Sequence, residues 1–239
     1  KKPMITIKIN NIEYTCPTTW EDITMRQYLA VVALVAPEKF KSYIAGDKVK
    51  FSHKEIQDSY SYMAKVVEVC CGIPYEVGMK QVKATELQKL WYHIERTLKA
   101  DYEYQYAVSE NGTKASFEFE GETYYLPTKL MTEETAGELV MAQLLQDGCK
   151  QLENGSYVAL TKLAAVLCRK QFEWYEDYDI EQRAEHFLGL PMDTLLYVGF
   201  FLQKLQRGYM QDLQIFTAAQ TLTKLRQVSK TYKEALAAT

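Results

Sequence analysis

Two stretches of the chain about 110 residues apart read alike, and that likeness limits the folds open to it. Ile9-Asn10-Asn11-Ile12-Glu13-Tyr14-Thr15-Cys16-Pro17-Thr18 aligns with Phe119-Glu120-Gly121-Glu122-Thr123-Tyr124-Tyr125-Leu126-Pro127-Thr128. Each is an alternating run around a two-residue turn, closed by a proline, which reads as a β-hairpin. Each then reaches a capping box: Thr24 with Gln27, and Thr135 with Glu138. Met63 to Cys71 aligns in turn with Leu160 to Cys168, and Thr85-x-Leu87 with Asp193-x-Leu195 as a capped helix start. The order hairpin, helix, helix, helix thus occurs twice. The sequence predicts an α+β, mainly α protein built as a tandem repeat of hairpin plus helices. Residues 1–101 form the first unit, 102–209 the second, and 210–239 a long C-terminal helix.

Helix limits follow from the same punctuation. Tyr28, Leu29, Val32 and Val35 mark the apolar side of a helix that stops before Pro37. Residues 38–53 read as a loop or short helix, and a second helix runs from Lys54 to Cys71, where Gly72-Ile73-Pro74 ends it. Leu87, Leu90, Trp91, Ile94 and Leu98 sit at helical spacing in a third. Tyr102–Val108, Ala115–Phe119 and Glu122–Leu126 form a small antiparallel meander. Further helices are expected over Tyr157–Phe172, over Ile180–Leu188, and after Leu190-Pro191 with Asp193 as cap.

The chemistry-bearing residues are few. The three histidines, His53, His93 and His186, are not spaced as metal ligands, and His93 reads as a partly buried helix residue. No phosphate loop, nucleophile elbow or dinucleotide fingerprint occurs. The five cysteines form no Cys-x-x-Cys; Cys70, Cys71 and Cys168 fall in apolar helical runs and read as buried small hydrophobes in a reducing compartment. No apolar run reaches the roughly 20 residues a membrane helix needs, and the opening lacks the apolar core of a signal peptide. No catalytic, cofactor-binding or metal-binding residue is assigned, and the reading expects no enzyme.

What stands out is tyrosine: 18, against 9 Phe and 3 Trp. Tyrosine offers a large contact area with a polar tip, which suits interfaces as well as cores. Trp174, Tyr175 and Tyr178 lie among the acids Glu173, Glu176, Asp177, Asp179, Glu181 and Glu185. The acids read as a solvated loop between helices, and the aromatics as a candidate protein-contact surface. In the last segment Ile215, Ala218, Leu222, Leu225, Ser229, Tyr232 and Leu236 alternate at spacings of three and four, a heptad seam. Residues 203–239 carry a net +4 against −7 for the rest, so the seam's polar face is basic. Candidate contact residues there are Ile215, Leu222, Leu225, Tyr232 and Leu236. The seam packs either on the protein's own body or on a partner.

Two ordered sets of residues resemble a known group. One is the opening from Ile5 to Leu29: strand, Asn turn, strand, then Pro17-x-x-Trp20-Glu21-Asp22-Ile23-Thr24-x-x-Gln27-Tyr28. The other is Leu163-Ala164-Ala165-Val166-Leu167-Cys168-Arg169, Arg183-Ala184-x-x-Phe187, Leu190-Pro191 and Phe200-Phe201. Together they resemble proteins of tailed bacteriophages and prophages encoded among tail and head-completion genes, some regarded as tail assembly chaperones and others as minor virion components. The resemblance implies a non-enzymatic assembly or virion protein with no catalytic residues and no cofactors. It would act in the bacterial host cytoplasm, or in the virion, by binding other phage structural proteins or a second copy of itself, with no membrane partner. Two alternatives come from other classes: a nucleic-acid-binding accessory protein using the basic C-terminal helix, and a metal-dependent hydrolase using the acids of 173–185.

Overall fold

The computed structural model describes residues 5–44, 46–99, 115–127, 157, 160–174, 179–199 and 201. The expected strand 102–108, the Thr135/Glu138 helix, Cys149 and the heptad helix with Ile215, Leu222, Leu225, Tyr232 and Leu236 lie outside them. The described architecture is α+β and mainly helical, with two small antiparallel sheets.

Strands β1 (Ile5–Ile9) and β2 (Ile12–Cys16) pair with Ile9 opposite Ile12. Asn10 and Asn11 both take positive φ, 52° and 62°, as a tight turn matching strand twist requires. Strands β3 (Ser116–Phe119) and β4 (Glu122–Tyr125) repeat this geometry, with Glu120 at φ 50° and Gly121 at φ 81°. In each hairpin the residue before the proline is buried: Cys16 in the first, Leu126 in the second.

The chain then forms α1 (Met25–Val32), α2 (Glu38–Ile44), α3 (His53–Cys71), α4 (Tyr75–Lys80) and α5 (Ala84–Leu98). Thr24 and Gln27 cap α1 reciprocally, as their spacing predicts. Ser52 and Glu55 do the same for α3, which Gly72 ends in the left-handed conformation at φ 70°. Around α3 the side chains of Phe40, Met63, Val67, Ile73, Leu90, Trp91 and Ile94 form a first core. Gly78 on α4 packs beside Ala64: a Cβ at Gly78 would stand 3.6 Å from the alanine's, an ordinary van der Waals contact.

Several expectations for this half are corrected. Val32 and Val35 are exposed, and Val31 is the buried residue, because α1 ends at Val32 and turns its inner side to α3. Lys83, not Thr85, precedes the first turn of α5, without a side-chain cap. His93 lies on the outer face beside exposed Tyr92, while Trp91 and Ile94 point inward.

A second core is built on β3, β4, α6 (Leu160–Leu167), α7 (Ile180–Phe187) and a helix over 192–199, α8. The helix expected to run to Phe172 stops at Leu167, and the chain continues as a two-residue strand, β5 (Arg169–Lys170), beside β4. The described sheet is therefore β3-β4-β5, and its third strand comes from beyond α6. Asp193 sits inside the first turn of α8, its carboxylate accepting from the Thr194 amide at 2.6 Å.

The two cores meet along residues 20–28. Ile23 and Met25 belong to the first half by position, yet both are fully buried in the second core. The backbone here zips to the segment leading into α8 and to its first residue: Met192 N–H donates to Ile23 O at 2.8 Å, Met25 N–H to Leu190 O at 3.0 Å, and Arg26 N–H to Leu188 O at 2.8 Å. Gln27 reaches the other way and donates to Val69 O on α3 at 3.2 Å. Tyr28 packs between Trp20 and Tyr157.

Asp22 organises the turn into this junction. Its Oδ2 accepts from the Thr18 and Thr19 amides at 2.9 and 3.0 Å and from both hydroxyls. Burial works to raise this carboxyl, but those hydrogen bonds outweigh it and hold the group below its ordinary value of 3.8. A lowered value means that the unfolded chain takes up the proton first. The contribution is therefore present at neutral pH and is lost as pH falls below about 4. Asp22→Ala is expected to cost about 1–2 kcal/mol at neutral pH, and the gap to the unmodified chain to narrow below about pH 4. Urea midpoints at the two pH values measure this; a gap that widens in acid would contradict it.

Candidate functional site

The expected contact loop begins where α6 ends. From Cys168 the chain runs along β4, with Arg169 opposite Tyr125 and Lys170 opposite Tyr124. It then folds back on itself. Phe172 takes φ 64°, Lys170 N–H donates to Glu173 Oε2 at 3.0 Å, and Glu173 N–H donates to Lys170 O at 3.3 Å. A left-handed backbone at an aromatic residue costs of order 1 kcal/mol or more, so the surroundings must enforce it.

The enforcing contact is the ion pair of Glu173 with Arg183 on α7, whose side chains are only 14% and 7% exposed. Arg183 also donates to Cys168 O at 3.3 Å and lies over the Tyr124 ring, 5.7 Å from its centroid. Phe187, one turn on, packs edge-on against Phe117 and Tyr124. Helix α7, the sheet and the turn are thereby fixed to one another.

Because Glu173 points inward, its two neighbours point out. Phe172 is 89% exposed and Trp174 is 72% exposed. Burying one such ring fully on a partner is worth about 1.5–3 kcal/mol, and a rigid mount spares ordering entropy on binding. Of the predicted contact residues only Trp174 falls within the described residues; Tyr175 and Tyr178 do not. Phe172 escaped sequence reasoning because it reads as the last residue of an apolar helix.

The described acids have structural partners. Asp179 caps α7, accepting from the Glu181 and Gln182 amides at 2.8 and 3.0 Å. Glu181 pairs with Lys162 at 2.8 Å and Glu185 with Arg26 at 2.9 Å, both at the surface and worth little. Among the described residues no group of three or more His, Cys, Asp or Glu is placed to hold a metal ion. His186 packs on Phe119 with ring centroids 4.8 Å apart, and His53 opens α3. Cys168 is fully buried, and burial pushes its thiol up to about 12, which makes it a poor nucleophile. No helix among the described residues is long and apolar enough to cross a membrane.

The sequence matches no protein-family model, no curated protein and no solved structure.

Proposed function

We propose that this is a non-catalytic assembly or structural protein of a tailed phage or prophage, acting through protein–protein contacts. It works in the host cytoplasm during assembly, as a tail assembly chaperone or a minor virion component, on other phage structural proteins. The observation that carries the reading is the outward pair Phe172 and Trp174 on a mount fixed by a buried ion pair. Solvated turns seldom present two large rings, and rings of this kind supply the anchors of protein interfaces.

The residues behind the phage resemblance support a scaffold rather than a reaction. Trp20, Asp22, Thr24, Gln27 and Tyr28 build and cap the junction, while Leu163 to Cys168, Ala184, Phe187 and Leu190 fill the second core. The tandem repeat belongs to the same proposal. Both hairpins turn on two positive-φ residues, and a buried cysteine stands at the end of α3 (Cys71) and directly after α6 (Cys168), each followed later by two further helices. The C-terminal segment, with Ile215, Leu222, Leu225, Tyr232 and Leu236, is a second contact element, for a partner or for a second copy.

A double change tests the surface. Phe172→Ser with Trp174→Ser is expected to leave stability within about 0.5 kcal/mol, since neither ring is buried. Co-purification with phage structural proteins, from cells assembling the encoding phage, is expected to fall at least tenfold. Undiminished co-purification with intact folding would overturn the assignment of the surface.

A further inference from the structure

The described surface carries large apolar side chains at several places: Val32 on α1, Ile56 on α3, Tyr92 on α5, and Phe172 with Trp174 on the turn after β5. Their surroundings differ in charge. Helix α1 has one arginine and no acid, α3 two lysines against three acids, and α5 one lysine and one arginine against two glutamates. Residues 173–185 hold six acids against one arginine, and that arginine is turned inward on Glu173. Lys162 and Arg26 answer two of those acids, Glu181 and Glu185, while Lys170 pairs with Glu122 on β4 instead. The two rings with the greatest exposure at this turn therefore border the strongest local excess of negative charge.

The last part of the sequence has the opposite character. Residues 203–239 hold six bases against two acids, and their apolar seam includes Leu222, Leu225, Tyr232 and Leu236. Arg226 and Lys233 follow Leu225 and Tyr232 directly, which in a heptad pattern places a cation beside the seam at each step.

We propose that in the free protein the chain's own segment 210–239 docks its seam on Phe172 and Trp174, with Arg226 and Lys233 toward the acids of 173–185. Charge selects this surface over those of α1, α3 and α5, which have no comparable acidic excess. Attachment favours the same copy over a second one. Phe201 packs against the second core, in which Cys168, Ala184 and Phe187 under the turn are buried. Residues 202–239 follow it, a length that as a flexible chain spans about 30–35 Å, against a radius of gyration of about 13 Å for a 100-residue unit. Tethering supplies an effective concentration of the order of 1 mM, so an intrinsic affinity near 0.1 mM keeps the surface about 90% covered.

The docked segment shields two exposed rings until a phage structural protein displaces it, and displacement frees the seam for a contact of its own. The displacement rests on the contact function proposed above, whereas the docking does not.

The test uses the purified full chain with no phage protein present. A photoreactive phenylalanine analogue replaces Trp174, and the chain is irradiated as an equal mixture of light and heavy nitrogen-labelled copies. Peptide mapping is expected to find the adduct within residues 210–239 of the same copy. Arg226→Glu with Lys233→Glu is expected to lower its yield about fivefold or more, and to raise co-purification with phage structural proteins in assembling cells by a similar factor. Absence of an adduct to 210–239, adducts chiefly between light and heavy copies, or a yield unchanged by the charge reversal would each overturn the proposal. An adduct formed in the same copy by a chain that co-purifies with no phage protein would support the docking and refute the contact function. Co-purification without the adduct would do the reverse.

Discussion

Replacing Arg183 with Met is expected to destabilise the chain by about 3–5 kcal/mol, among the largest effects of any single change at the candidate site. The reason is the partner left behind. Glu173 is 14% exposed in its side chain and depends on Arg183 for its countercharge, so the variant buries a carboxylate that keeps the Lys170 amide but loses the guanidinium. The change also removes the donor to Cys168 O and the cation over Tyr124. The double variant Arg183→Met with Glu173→Leu removes both charges and should recover most of the loss, since well-packed apolar replacements for a buried pair are often neutral or better. Urea unfolding of the two single variants and the double completes a cycle whose coupling term isolates the pair. A loss under about 1 kcal/mol in Arg183→Met would mean that the mount under Phe172 and Trp174 is not held as described.

Phe187→Ala should cost a similar amount, about 3–5 kcal/mol, for a different reason. Phe187 is fully buried and sits where three elements meet: its own helix α7, β3 through Phe117 and Phe119, and β4 through Tyr124. Truncation leaves a cavity lined by rings on several sides, which cannot collapse without moving the sheet. Because Ile23 and Met25 share this core, the loss is expected as one cooperative transition of lower midpoint, not as early melting of the second half alone. Two separate transitions would contradict the coupling of the cores through residues 20–28.

The elements most legible in the sequence were those written in local rules. The Asn10-Asn11 and Glu120-Gly121 turns, the Thr24/Gln27 box and the Gly72 stop each depend on a few adjacent residues, and the structure places them as their patterns predict. Features set by distant partners were not legible. Arg169-Lys170 reads as a continuation of an apolar helix, and becomes strand because β4 offers it an edge. Val31 rather than Val32 is buried because α1 ends early and turns against α3. Glu173 reads as one acid among several; its pairing with Arg183, ten residues on, depends on how α7 folds back. Ile23 and Met25 carry no mark showing which of the two cores will take them. At the candidate site, composition pointed to the aromatics beyond Glu173, including Trp174, but it could not show that Phe172 would be turned outward with it.

Site-specific photo-crosslinking from position 174 would test the central claim most directly. A photoreactive phenylalanine analogue would replace Trp174 in cells assembling the phage or prophage proposed to encode the chain, with the same analogue at exposed Lys89 as the control. A discrete adduct to a phage structural protein from position 174, and none from position 89, is the predicted result. Equal labelling from both positions, or no adduct from 174 while assembly proceeds, would contradict a contact function for this surface.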